Sequence, residues 1–193
     1  MIKLALLALL ILSQILVPVR AELVALQNPG FEDFPTRPVG WRTTQHAGEI
    51  AYEFEIDSED AASGEQSFRM TCTVQQVYGL IDQKVAIGPA EQPRKMHLSA
   101  KMKSKDIGPR GWMLVVNFLG PRNAIISQVR SQHVSGTNDW KTVVLDKPIP
   151  DRTEALSVGV MLLDFGIGWV DDVQLDVSTK AADPATDAAT GIR

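Results

Sequence analysis

Cysteine is almost absent. Cys72 is the only one in 193 residues, so no intramolecular disulfide can form. Histidine is nearly as scarce: His46, His97 and His133 lie far apart and show no metal-ligand spacing. A Gly-x-Ser-x-Gly elbow for a nucleophilic serine is also missing. So are clusters of Lys and Arg. The formal charge is −4, which argues against nucleic acid or an anionic membrane surface as partner. No segment shows an apolar stripe at helical spacing, which removes helical folds from consideration. Acidic residues are plentiful, but only Glu32 and Asp171 break a surface pattern, so the paired carboxylates of a glycosidase are not evident. No catalytic residue is expected.

What is present begins with a leader. Lys3, the apolar run Leu4 to Val17 and the small-residue site Val19-Arg20-Ala21 have the form of a signal peptide over residues 1–21. Cleavage near Ala21 would export the protein to the periplasm, the cell envelope or the medium, with no membrane insertion afterwards. An uncleaved anchor is the alternative, although the run is short for a span. Loss of Lys3 and Arg20 takes the formal charge from −4 to −6. Residues 22–177 are long enough for one domain with a real core. Residues 178–193, rich in Ala, Thr, Asp and Pro without apolar pattern, are predicted to be a disordered tail.

Between these ends the chain reads as strands and turns. Ile50 to Ile56, Phe68 to Val74, Gly79 to Ile87, Met96 to Lys103, Gly111 to Leu119, Ala124 to Val134, Trp140 to Leu145 and Ala155 to Leu163 are short runs bounded by Gly, Pro, Asn and Asp. In Phe68 to Val74, Phe68, Met70, Cys72 and Val74 alternate inward, which makes Cys72 a buried, inert thiol. About nine or ten such strands in one domain predict an all-β antiparallel sandwich or jelly roll.

The last strand carries an anomaly. In Gly168 to Val177, Trp169, Val173, Leu175 and Val177 share one face, and Asp172, Gln174 and Asp176 the other. The parity of Asp171 puts a carboxylate on the apolar face. Either Asp171 caps the turn before the strand, or it meets a partner from an earlier segment, because a buried carboxylate must be hydrogen-bonded, paired or metal-bound. Glu32 is the candidate for that earlier segment. A cation between the two would be Lys, Arg or a hard ion such as calcium.

Asn28-Pro29-Gly30-Phe31-Glu32, Gly40-Trp41, Ser63-Gly64-Glu65-Gln66-Ser67-Phe68, Trp140 and Trp169-Val170-Asp171-Asp172-Val173 follow one another in an order that resembles the CenC-type carbohydrate-binding modules, a group of galactose-binding-like jelly rolls. The resemblance implies two antiparallel sheets of about five strands. It also implies a structural calcium held by Glu32, the turn containing Ser63 and Gln66, and Asp171. Asp172 matches the second acidic position but points outward by parity. Met96 stands where similar modules often carry Tyr.

The resemblance further implies a poly- or oligosaccharide as partner. Sugar sites stack aromatics on pyranose rings and bond the hydroxyls with amides. Trp41, Trp140 and Trp169, with Phe31, Phe34, Phe68, Phe118 and Phe165, are read as core. That leaves Tyr78, flanked by Gln76 and Gln83, and Trp112, which follows Pro109-Arg110-Gly111 at a strand start. Each is either a stacking platform or a core residue. Trp112 shares parity with Leu114, Val116 and Phe118, which favours core. Three readings of function follow: a secreted, noncatalytic sugar-binding module; a structural or adhesive envelope or matrix domain that binds protein; and, last in order, a small hydrolase built on this fold.

Overall fold

The computed structural model describes residues 21–34, 36–74 and 76–179; nearly all of the expected leader and of the expected tail lie outside them. Ten strands follow in order: β1 (Ala21–Leu23), β2 (Arg42–Gln45), β3 (Tyr52–Asp57), β4 (Ser67–Cys72), β5 (Gly79–Ala86), β6 (Arg94–Leu119), β7 (Ile125–Arg130), β8 (Val134–Ile149), β9 (Ala155–Leu162) and β10 (Gly166–Thr179). Among the described residues the one helical element is a 3₁₀ turn, Pro121–Asn123. Every pairing is antiparallel. The order is β2-β5-β9-β6-β10-β4-β3, with β1 on β10 and both β7 and β8 on β6.

β6 divides this network into two sheets. It is 26 residues long, where the alternation suggested two separate strands. Its first half pairs with β10 and β8, and its second half with β9 and β7. Between them the backbone passes through left-handed conformations at Asp106 (φ 53°) and Gly111 (φ 82°), which turn the strand out of one sheet and into the other. The first sheet is β3-β4-β10-β6-β8, with β1 on β10; the second is β2-β5-β9-β6-β7.

The core lies between the sheets and follows period two. From β6 come Met96, Leu98, Ala100 and Met102, then Trp112, Leu114, Val116 and Phe118. β9 adds Leu156, Val158, Val160 and Leu162, and β4 adds Phe68 and Met70. Burying each large apolar side chain contributes about 1.5–3 kcal/mol. Phe31 packs on Trp41 and Phe68 at centroid distances of 5.3 and 5.6 Å, tying the first loop to the core. Cys72 is buried, and burial pushes its thiol pKa up, which suits an inert role.

Some expected core residues are not in it. Phe34, Phe165, Val74 and Ile50 are exposed. All four lie outside the strands, where alternation has no hold on the side chain. β10 also continues to Thr179, two residues past the expected boundary at Val177.

Candidate functional site

Two regions gather the polar side chains of interest. The first surrounds Asp171, which is 0 % exposed. The reason differs from simple parity. Val170 pairs with Met102 and so faces inward, which puts Trp169 and Asp171 on the outer side. A bulge then intervenes, with Asp172 left-handed at φ 50°, and Leu175 pairs with Leu98 facing inward again. One extra residue reverses the faces. Trp169 therefore does not share a face with Leu175. Its indole Nε1 donates to Asp57 Oδ2 at 2.9 Å, and the Lys103 ammonium sits 5.7 Å from its ring centre. Trp140, expected in the core, is half-buried on the same outer side and donates to Asp60 Oδ1 at 3.0 Å.

Asp171 is buried because the turn at residues 61–66 lies over it. Its Oδ2 accepts the backbone N–H groups of Ala62 and Ser63, both at 3.0 Å, and its Oδ1 accepts that of Asp172 at 2.7 Å. Burial pushes its pKa up, and these amides pull the other way without cancelling the shift. Glu32 Oε1 accepts the N–H groups of Glu65 and Gln66 at 3.0 and 3.1 Å. Gly64 makes this possible: a Cβ there would lie 2.2 Å from Glu32 Oε1, and its φ is +62°. The Ser63 hydroxyl donates to Asp172 Oδ1 at 2.8 Å. With its nitrogen facing the first loop, the Gln66 amide donates to the carbonyls of Phe31 and Phe34 at 3.1 and 3.3 Å.

The structure thus brings Glu32, Ser63, Gln66 and Asp171 together as a clip between the first loop, the 61–66 turn and β10. Among the described residues no group of three His, Cys, Asp or Glu converges as a metal cluster. The donor set is nonetheless all oxygen. One oxygen of each carboxylate is committed to two amides, and Glu32 Oε2 and Asp171 Oδ1 keep lone pairs to spare. That arrangement fits a hard cation.

The second region is the outer face of the second sheet, where the sugar-site candidates divide. Trp112 is 0 % exposed, with its indole donating to the Trp169 carbonyl at 3.4 Å; it is a core residue and offers no stacking face. Gln83 is also corrected. Its Oε1 accepts the Gln27 N–H at 2.7 Å and its Nε2 donates to the Gln27 carbonyl at 2.8 Å, so both ends of the amide clamp backbone. Gln76 Oε1 accepts the neighbouring Val77 N–H at 3.0 Å. Tyr78 is half-buried against Leu80, Met113, Val115 and Met161, a small apolar cluster that is itself buried, with its ring edge-on to His46 at 5.9 Å.

Beside that cluster runs a polar row that sequence reasoning missed. Arg42 forks onto Asp82 through Nε to Oδ1 (3.1 Å) and Nη2 to Oδ2 (2.9 Å). The Ser157 hydroxyl donates to Asp82 Oδ2 at 2.7 Å. Gln128 donates to Asn117 Oδ1 at 2.8 Å and receives Arg130 at 3.0 and 2.8 Å. Lys84 donates to Asn123 Oδ1 at 3.1 Å. These side chains share a face because β5, β9, β6 and β7 are in register there: Lys84 lies opposite Ser157, Ser157 opposite Asn117, and Asn117 opposite Gln128. Gly159 keeps the centre flat, since a Cβ would meet the Ile81 carbonyl at 2.0 Å. Arg42, Asp82, Lys84, Asn117 and Ser157 line an open depression of about 720 Å³, with Gln128 and Arg130 outside it. The alternation of Leu80, Asp82 and Lys84 against Ile81 and Val85 was the available sequence clue.

No family model and no curated protein matches the chain. Solved structures do match it, and the neighbours include carbohydrate-binding modules with a β-sandwich fold. The enzymatically active domain of tailspike protein 4 from bacteriophage CBA120 is 12 % identical with a TM-score of 0.64, over 79 % of this chain; the chain spans only 21 % of that one. The module TmCBM61, solved with β-1,4-galactotriose, is 19 % identical at a TM-score of 0.50, covering 79 % of this chain and 97 % of its own. The CBM22-1 xylan-binding domain of Paenibacillus barcinonensis is 13 % identical at 0.50, covering 79 % and 93 %. At these identities the likeness defines the fold: an all-β antiparallel sandwich of the architecture such modules use.

Proposed function

We propose that this chain is an exported, noncatalytic glycan-binding module of the CenC-like kind suggested by its motif order. The outer face of the second sheet is its binding surface. One observation carries the reading: that face is open and keeps hydrogen-bonding side chains with donors to spare, with the half-buried ring of Tyr78 on the same side. Arg42, Lys84, Asn117, Gln128 and Arg130 present guanidinium, ammonium and amide groups suited to sugar hydroxyls, and Tyr78 adds a partly exposed ring. The one carboxylate on this face, Asp82, is held by Arg42 and Ser157, which supports binding rather than hydrolysis, since glycosidases need two facing carboxyls. A glycan array probed with the protein starting at Glu22 tests the reading. Binding to at least one poly- or oligosaccharide, weakened by changes on this face, is expected. No binding to any glycan moves the structural or adhesive reading to first place.

The same proposal includes a calcium ion at the clip, held by Glu32 Oε2, Asp171 Oδ1 and carbonyl oxygens of the turn. The ion would supply positive charge to two clustered carboxylates and would tie the first loop to β10. Calcium at a hundredfold excess over its dissociation constant should stabilise the fold by roughly 2.7 kcal/mol. The melting temperature is expected to fall on chelation and to recover with calcium better than with magnesium. Equal melting of fully metal-free protein with and without calcium would refute the ion.

A further inference from the structure

We propose that the saccharide taken by the second sheet's outer face is anionic and presents uronate carboxylates. The inference rests on the glycan reading above and adds charge to it. The strand segments that build the face are β2, β5, β7, β9 and residues 112–119 of β6. Together they contain one acidic residue, Asp82, and three basic ones, Arg42, Lys84 and Arg130. Asp82 is already spent. It lies buried, with the Arg42 fork on both its oxygens and the Ser157 hydroxyl on one. Arg42 and Asp82 cancel, and two cations remain.

The hydrogen-bond partners of those two cations among the described residues are neutral. Lys84 gives one of its three protons to the Asn123 amide, and Arg130 bonds the Gln128 amide through Nε and Nη2. Neither charge is neutralised, and both keep donors free. In a chain of formal charge −4, cations left over on one face are not explained by composition. On the opposite face of the sandwich Arg69 and Lys103 are paired with Glu55 and Asp60, while Lys101 donates to the Thr142 hydroxyl.

Geometry assigns the roles. Lys84 stands on β5 and Arg130 on β7, with β9 and β6 between them and a two-residue offset along the strands, so their backbones lie about 16 Å apart. Ser157 and Asn117 occupy the strands between. A saccharide lying across the strands would meet hydroxyl and amide groups in the middle and a cation at each flank. Carboxylates suit both flanks, since ammonium and guanidinium make their strongest hydrogen bonds to anionic oxygen.

The test compares polygalacturonate with its carboxyl-reduced, neutral form, using the full-length mature protein and isothermal titration at low salt. Polygalacturonate is expected to bind at least about tenfold more tightly than the reduced polymer, with the difference shrinking as salt is raised. The double variant Lys84→Gln/Arg130→Gln should lose that preference and bind the two polymers alike, at an unchanged melting temperature. Equal binding of the two polymers, or a double variant that binds polygalacturonate like the parent, overturns the proposal. Competition by polyglutamate as strong as by polygalacturonate overturns it too, because charge alone would then suffice. A preference for dextran sulfate assigns the face to sulfate esters and overturns the uronate. If only neutral glycans on the array bind, the charge inference falls while the glycan reading stands; if no glycan binds, both fall.

Discussion

The two outer faces of this sandwich use charge in opposite ways. On the first sheet, opposite charges meet one another. Arg69 bridges Glu55 and Asp57, Lys103 reaches Asp60, and the indoles of Trp169 and Trp140 cap the same two aspartates. Burial would push the Asp57 carboxyl up, but the Trp169 indole, the Glu59 amide and Arg69 outweigh it and hold its pKa down. At the edge of this face the 61–66 turn closes over Asp171, whose Oδ2 accepts two of the turn's backbone amides. On the second sheet the buried Asp82 is satisfied locally, while Lys84 and Arg130 lean on neutral amides. The first face is crossed by ion pairs, with Lys101 alone among its named cations resting on a neutral hydroxyl; on the second face both Lys84 and Arg130 rest on neutral groups. The partner of each charge, more than the number of charges, separates a solvated surface from a binding one.

Substitutions can break this comparison, starting with one that damages both faces. Trp112 lies where β6 enters the second sheet, fully buried between the layers. Trp112→Ala should cost about 3–5 kcal/mol in chemical denaturation. A loss below about 1 kcal/mol would mean that Trp112 is not the core residue described here. A matched pair of arginine truncations sharpens the contrast. Arg42→Ala leaves the buried Asp82 with only the Ser157 hydroxyl, and about 1–2 kcal/mol should be lost, together with glycan affinity. Arg69→Ala should cost less than about 1 kcal/mol and leave binding untouched, because Glu55 is exposed and Asp57 keeps the Trp169 and Glu59 donors. Equal losses from the two variants would erase the distinction between the faces.

The smallest expected effect is a pH dependence at the closed edge. The Asp171 pKa is raised in the folded protein, so without metal its proton is held more tightly folded than unfolded. Its contribution is full below the ordinary carboxylate range and is lost as pH rises through the higher folded value. The stability difference between the parent and Asp171→Asn should therefore turn against the parent with rising pH in chelator, and calcium should reverse that slope by favouring the ionised form. Thermal melts from pH 3 to 8 read both curves; a difference that stays flat in chelator contradicts the buried, raised Asp171.

The candidate site was only partly legible in the sequence. Glu32, Ser63, Gln66 and Asp171 converge as expected from motif order, because a glycine at position 64 and carboxylates flanking the domain leave a recognisable spacing. Trp112 and Gln83 misled: a tryptophan after a glycine turn and a glutamine in a strand look alike whether they face solvent or are satisfied inside. The polar row escaped notice because it is assembled from β2, β5, β6, β7 and β9, each contributing one or two ordinary residues. No local pattern records a row that runs across strands.

By itself, then, the chain's alternation determined that strands form, that they pack in two layers, and which residues of β4 and β6 meet in the core. Period two is a property of the backbone and acts within each segment. Tertiary structure alone decided three further things. It merged two strands into β6 through left-handed turns at Asp106 and Gly111. It reversed the face of Trp169 with a bulge at Asp172. It also chose which charges found ionic partners. All three depend on register between segments far apart in sequence, and register is settled only when the sheets close on a shared core.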